Sequence, residues 1–410
     1  MNDTCNLPSL TLNDIEQHLR HKGAYSPLYW LLEVGLLPYG DYERWRHNEL
    51  EDLEQAIHLD RVSLRRCLQQ AEAWARGLKL VNDPQPYCRW SPGSSERELR
   101  LSGDSELGRL LAQRWVRPQD LPQLDLFIDS GAVEAENDLI DCLISRRWEA
   151  AQPALDELSR IAPTHPHLDG YKTLTHYAQR LKQEQGSWFL PAQELASALE
   201  NERALLEQEI VPLARELLRA QAGDFLAPAW RCLADAWPAH PFDPQKPRLH
   251  ASYAWAQIPD WPQVVEAVCA VPDYRQHPVL VRRLADALWY SRRREAALLC
   301  WGWLFEQAPE STELALESGV PEPLQQSWDT FVDTEESLPT IYFPAWLMLD
   351  EPGLIHHLDG DFPQPEGEEV VAVQALLRSR DQRGNEIEAR RELQKVSPGL
   401  LRVYLSTIKN

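Results

Sequence analysis

Few places in this 410-residue chain bring reactive side chains close together. His356-His357 stands beside Asp359 and Asp361, and imidazole with carboxylate is a ligand set for a transition metal. The same residues on an acidic loop also read as solvated groups. His165-Pro166-His167 has a proline between its histidines, which is the composition of a helix stop. Glu335-Glu336 and Glu368-Glu369 are paired acids with no basic neighbour in sequence, so a solvated face accounts for them better than acid–base catalysis. The seven cysteines (Cys5, Cys67, Cys88, Cys142, Cys232, Cys269 and Cys300) are odd in number, far apart and not close to histidine in sequence. They read as reduced thiols of a cytoplasmic protein. Phosphate-loop, dinucleotide, His-Glu-x-x-His, Cys-x-x-Cys and Gly-x-Ser-x-Gly signatures are missing. The expectation is a non-enzymatic protein with no cofactor, no metal site and no catalytic residues. The alternative of an enzyme with an unrecognised site requires titratable groups that converge only in space.

One short string points to a partner. Around Gln123-Leu124-Asp125-Leu126-Phe127, the residues Leu121, Leu124, Phe127 and Ile128 are spaced as the apolar face of a helix start, with Asp120 available as its cap. Pro118 and Pro122 favour instead an extended lead-in. The pentapeptide resembles the motif by which bacterial replication and repair proteins dock on the DNA polymerase sliding clamp. That resemblance implies that Gln123 enters a polar subsite and that Leu124, Leu126 and Phe127 enter an apolar cleft. The chain would then be a replication or repair accessory tethered to DNA through the clamp.

The elements that position such residues are legible from a repeat. Ser145-Arg146-Arg147-Trp148-Glu149-Ala150-Ala151 recurs as Ser291-Arg292-Arg293-Arg294-Glu295-Ala296-Ala297, and Ala162-Pro163 recurs in register as Ala308-Pro309. In each copy a small residue (Ala151, Ala297) precedes a large one (Leu155, Trp301), then an apolar one (Leu158, Leu304), then proline. These offsets lie on one face of a helix, and the proline ends it. Trp261, Val264, Val268 and Val271 form a third copy. Over about 132–165, 245–277 and 278–311 the chain resembles the tetratricopeptide family of helical hairpins, with Leu139, Ser252 and Ala285 where the family has glycine. The resemblance implies an all-α solenoid that binds protein or peptide. It also implies which side chains line a groove: Tyr253 and Gln257 in one repeat, and Arg282, Asp286, Trp289 and Tyr290 in the next. Aromatics with one arginine suit an extended peptide, including one that ends in a carboxylate. In the earlier repeat those positions hold Val133, Ile140, Leu143 and Ile144, which read as packed interior.

The charge is −22, and its distribution is uneven. From Glu295 to Leu377 there is no lysine or arginine but there are 17 acids. Such a surface repels phosphate backbones, which argues against direct nucleic-acid binding, and it suits solubility or a basic protein partner. The packed interior of the earlier repeat and charge opposition to Arg282, Arg283 and Arg292–Arg294 raise the further expectation that the groove is short or is filled by this acidic segment. No run of about 18 apolar residues suggests a membrane span. Most of the 16 tryptophans sit among leucine and alanine and are expected in the core.

Along the chain, the reading is a helical N-terminal domain over 1–115, with a small β-hairpin near 86–102. A proline-punctuated connector follows over 116–131, then the repeats over 132–311, then an acidic and finally helical region over 312–410. Within the first of these, helices are expected at 11–22, at Leu28–Leu37 behind Ser26-Pro27, at Asp60–Arg76 and at Ser105–Trp115, and within the repeat region at 190–222 (a pair) and 224–237.

Overall fold

Short polar side chains start the N-terminal helices. Thr11 closes a capping box with Asp14 at the head of α1 (Leu12–Lys22), which stops at Gly23 with φ 71°, a left-handed conformation that glycine adopts without a Cβ penalty. In the computed structural model the described residues are 10–84, 86–90, 98–118, 130–184, 192–237, 242–318, 322–334, 338–358, 360–381 and 386–409. They are mostly helical, and the chain divides into two units, Met1–Asp260 and Trp261–Asn410. That division falls inside the 245–277 repeat, leaving its first helix in one unit and its second in the other.

In the first unit, α2 (Pro27–Glu33) begins with proline behind Ser26. It is shorter than expected because Gly35 turns left-handed at φ 67° and sends its N–H back to Leu32 O. Next come α3 (Tyr39–Arg46) and α4 (Arg61–Gly77), the latter capped by Asp60 through the N–H groups of Val62 and Ser63. α5 (Ser105–Leu111) is capped by Asp104. It ends before Trp115 because Trp115-Val116 is a strand. Three two-residue strands, β1 (Ala24–Tyr25), β2 (Val81–Asn82) and β3 (Trp115–Val116), form an antiparallel sheet in the order β1-β3-β2. Near the expected hairpin, Cys88 faces Glu98 in an antiparallel bridge and Leu99 N–H donates to Tyr87 O at 2.8 Å.

The unit continues with α6 (Ser130–Ile144), α7 (Trp148–Ile161), α8 (Leu168–Glu184) and α9 (Ala192–Leu205). A wide π turn over Leu206–Ile210 joins α9 directly to α10 (Val211–Leu218), so the expected helix pair is one continuous run. Pro212 supplies the reason: it has no N–H, and Val211 N–H donates to Leu206 O across the widened turn. α11 (Ala222–Ala236) and α12 (Ala251–Gln257) close the unit.

The second unit contains α13 (Trp261–Cys269), α14 (Pro278–Tyr290), α15 (Arg294–Gln307), α16 (Pro309–Ser318) and α17 (Glu322–Val332). After these come α18 (Phe343–Asp350), α19 (Glu368–Asp381), α20 (Glu386–Val396) and α21 (Pro398–Lys409). α15 is apolar around its circumference, with Ala297 through Gly302, Leu304 and Phe305 all buried. Such a helix must be covered on every side. α14 packs on one side, and α18 packs on another, where Phe305, Trp328, Phe331, Phe343 and Trp346 form a ring cluster with centroids as close as 4.7 Å.

The two best repeat copies are congruent in local structure. α7 and α15 each have 14 residues and start and end at matching positions. Ser145 N–H donates to Asp141 O, Arg146 N–H to Leu143 O and Arg147 N–H to Cys142 O. Their counterparts repeat the pattern: Ser291 to Ala287, Arg292 to Trp289 and Arg293 to Leu288. Arg146 and Arg292 both take the left-handed conformation, at φ 58° and 63°. Ala151, Leu155 and Leu158 are buried, as are Ala297, Trp301 and Leu304. Trp30, Trp45, Trp90, Trp115, Trp148, Trp230, Trp237, Trp301 and Trp346 are core residues. Among the described residues no helix is long and apolar enough to cross a membrane.

Candidate functional site

The groove candidates fall in both units, and each set is described within its own. In the first unit α12 presents Tyr253, half-buried, and Gln257, exposed. Tyr253 Oη donates to Glu207 Oε1 at 2.5 Å, and its ring meets the Trp230 ring edge-on at 6.1 Å. Burial, together with the hydrogen bond to Glu207, pushes the Tyr253 hydroxyl up to about 12. The phenol therefore stays a donor at neutral pH.

In the second unit Arg282, Asp286, Trp289 and Tyr290 are half-buried along one side of α14, while Val281, Leu284, Ala285 and Leu288 are buried on the other. Asp286 lies one turn beyond Arg282 and accepts from its Nε at 3.1 Å. The Arg282 guanidinium lies 4.3 Å from the centroid of the buried Trp301 ring. A guanidinium fixed by a carboxylate and a ring is pre-organised for a second carboxylate. Burial pushes the Asp286 carboxyl above its usual range, against the opposing pull of Arg282. Tyr290 stacks on Trp261 with centroids 4.5 Å apart and planes at 19°. The structure thus gathers Arg282, Asp286, Trp289 and Tyr290 on one helix with Trp261 beside them.

The acidic segment reaches two of the arginines expected to oppose it, and a third outside that set. It meets Arg294 through Glu351, Arg293 through Phe362, and Arg275 through Asp361. Arg294 opens α15, Arg293 lies in the turn before it and Arg275 in the turn before α14, while Arg282 engages Asp286 and Trp301.

A buried charged network in the first unit was invisible in the sequence. Arg146, at the left-handed turn between α6 and α7, donates from Nη1 and Nη2 to Glu43 Oε1 at 3.0 Å each. It also reaches Tyr39 Oη at 3.2 Å and Asp224 O at 3.1 Å. Its guanidinium lies 3.7 Å from the Trp90 centroid, and that of Arg46 lies 4.6 Å from the same ring. Asp224 accepts from Tyr29 Oη at 2.9 Å and Tyr42 Oη at 3.0 Å, and Arg231 pairs with Glu43. Burial pushes the Asp224 carboxyl up while Arg46 and Arg146 pull it down. These are converging titratable groups, but Asp224 is 1% and Arg46 3% exposed. The network ties α2, α3, α11 and the turn between α6 and α7 together.

Gln123, Leu124, Asp125, Leu126 and Phe127 lie outside the described residues, as do Glu335-Glu336 and Asp359. His356 approaches Asp381 at 3.9 Å, His357 is exposed, and Asp361 uses its backbone carbonyl. Among the described residues no three histidines, cysteines or acids are grouped to hold a metal ion. No family model, curated protein or solved structure matches the chain.

Proposed function

We propose that the chain is a non-enzymatic scaffold of tetratricopeptide-like helical hairpins that holds an extended segment of another protein. The congruence of α6–α7 with α14–α15, bond for bond through the turn, is the observation that supports this reading. Stacked hairpins of this kind present the first helix of each pair to a ligand. On α14 that helix carries half-buried Trp289 and Tyr290 beside an arginine held by Asp286, a composition suited to a peptide with an aromatic anchor and a carboxylate. The test is selection of displayed peptides with free C-termini on the full chain. Selected peptides should bind wild type and lose binding to an Arg282→Ala/Trp289→Ala variant that keeps its circular dichroism. Equal binding by that variant counts against the reading.

A second reading rests on the five-position match at Gln123–Phe127, which supports docking on a bacterial sliding clamp. Calorimetry with purified clamp checks it. Saturable binding that disappears in a folded Leu126→Ala/Phe127→Ala variant is the expected result, and an isotherm without heat of binding removes the reading.

A further inference from the structure

Between α18 and α19 the chain crosses the surface of the second unit, and Asp361–Gly367 within that crossing are neither helix nor strand. Their contacts have an unusual direction. At one end the Asp361 carbonyl accepts from Tyr274 Oη at 3.3 Å and from Arg275 Nη2. At the other end Glu306 Oε2 and Oε1 accept from the N–H groups of Glu366 and Gly367 at 2.8 and 2.7 Å. Side chains of α15 and of the turn before α14 therefore read the main chain of this segment at both ends.

Between those ends the segment is Phe362-Pro363-Gln364-Pro365. Pro363 and Pro365 are buried and Gln364 between them is not, the alternation of an extended run lying on a surface. The Arg293 guanidinium lies 4.6 Å from the Phe362 ring centroid. Gly302 provides the notch: a Cβ there would stand 3.1 Å from Pro365 Cγ. Main-chain hydrogen bonds with pockets for alternate side chains are how receptors take extended peptides.

We propose that the surface formed by Tyr274, Arg275, Arg293, Gly302 and Glu306 is a binding site for extended peptides of Phe-Pro-x-Pro type, occupied in cis by the chain's own strap. The site is distinct in residues from the α14 groove and does not depend on it. Opening the strap exposes the slot, and a segment of the same chemistry from another protein takes its place.

The test uses the full chain and a fluorescein-labelled, end-blocked peptide with the sequence of Gly360–Glu368. Fluorescence polarisation is read on wild type, on a strap variant Phe362→Ala/Pro365→Ala, and on that variant with Arg275→Ala/Arg293→Ala added. Binding to the strap variant should be at least about tenfold tighter than to wild type, and the two exposed arginines should be needed for it. Equal binding to wild type and the strap variant overturns the proposal. So does a strap variant that no longer folds, since a ligand held in cis is dispensable to the core. Amide exchange on wild type gives an independent reading. Glu366 and Gly367 should exchange at least about tenfold faster than Cys300–Leu304, by local opening, and equal protection overturns the proposal.

Discussion

Replacing Arg146 tests the account of the first unit most directly. Its guanidinium makes two bonds to Glu43, one to Tyr39 and one to the Asp224 carbonyl, and stacks on Trp90. Breaking a buried ion pair by removing one partner costs about 3–5 kcal/mol. Here Arg231 remains on Glu43, and the Arg146 and Glu43 side chains are 14% and 10% exposed, so Arg146→Ala should fall at the lower end, about 3 kcal/mol. For a unit of this size that is a drop of about 6–12 °C in melting temperature. The left-handed turn separates two contributions. Arg146→Gly loses the same contacts but relieves about 1 kcal/mol of backbone cost, so it should be the more stable of the two variants. Arg146→Lys keeps a charge without the planar fork and should recover less than half of the loss. The assay is urea unfolding followed by tryptophan fluorescence, with amide exchange locating the weakening in α3 and α11. A lysine variant as stable as wild type, or an alanine variant within about 0.5 kcal/mol of it, would refute the reasoning.

Further outcomes follow from single sites. Burial raises the Glu33 carboxyl, but the hydrogen bond from His18 and the charge of Lys22 outweigh this and hold it at about 2. A lowered folded value means stability that is present above the unfolded value of about 4.3 and is lost as pH falls toward the folded one. Since Glu33 is 44% exposed, screening leaves about 1 kcal/mol, so the melting-temperature gap between wild type and Glu33→Gln should be open near about pH 7 and close by about pH 2. Cys269 is exposed and Cys300 is buried with its thiol pushed up by burial; a thiol reagent should label Cys269 in the folded protein and Cys300 only in urea. Trp301→Ala should cost about 3–5 kcal/mol in chemical denaturation, because a fully buried ring and its cation contact are both lost.

The hairpins were legible because their information is local: small, large and apolar residues at helical offsets, with proline closing each unit. The starts of α1, α4 and α5 fell where the pattern placed helices, but their caps Thr11, Asp60 and Asp104 were not singled out. The Arg146 network was not, since Glu43 lies 103 residues away and Tyr29 lies 195 residues from Asp224. The doubled Ser-Arg-Arg turn, left-handed at its first arginine in both hairpins, marks the turn but not the partners of Arg146. The sheet escaped because strands of two residues are too short to show alternation. The strap lies in the region read as acidic, and the burial of Pro363 and Pro365 depends on contacts with α15 that no local pattern records. Arg282 and Asp286 sit on one helix because they are one turn apart, whereas the Trp261 stack on Tyr290 joins residues of different helices.

The covering of α15 also bears on assembly. A helix apolar around its circumference is the surface on which a hairpin from another copy would stack, and an array with such an end open grows into fibres. Here α18 and the Pro365 strap occupy that surface, packed against Gly302. Asp361, Glu366 and Glu368 on and beside this covering are exposed, so a second copy that approaches it meets like charge instead of an apolar face. α15 therefore keeps its apolar circumference covered by segments of its own chain.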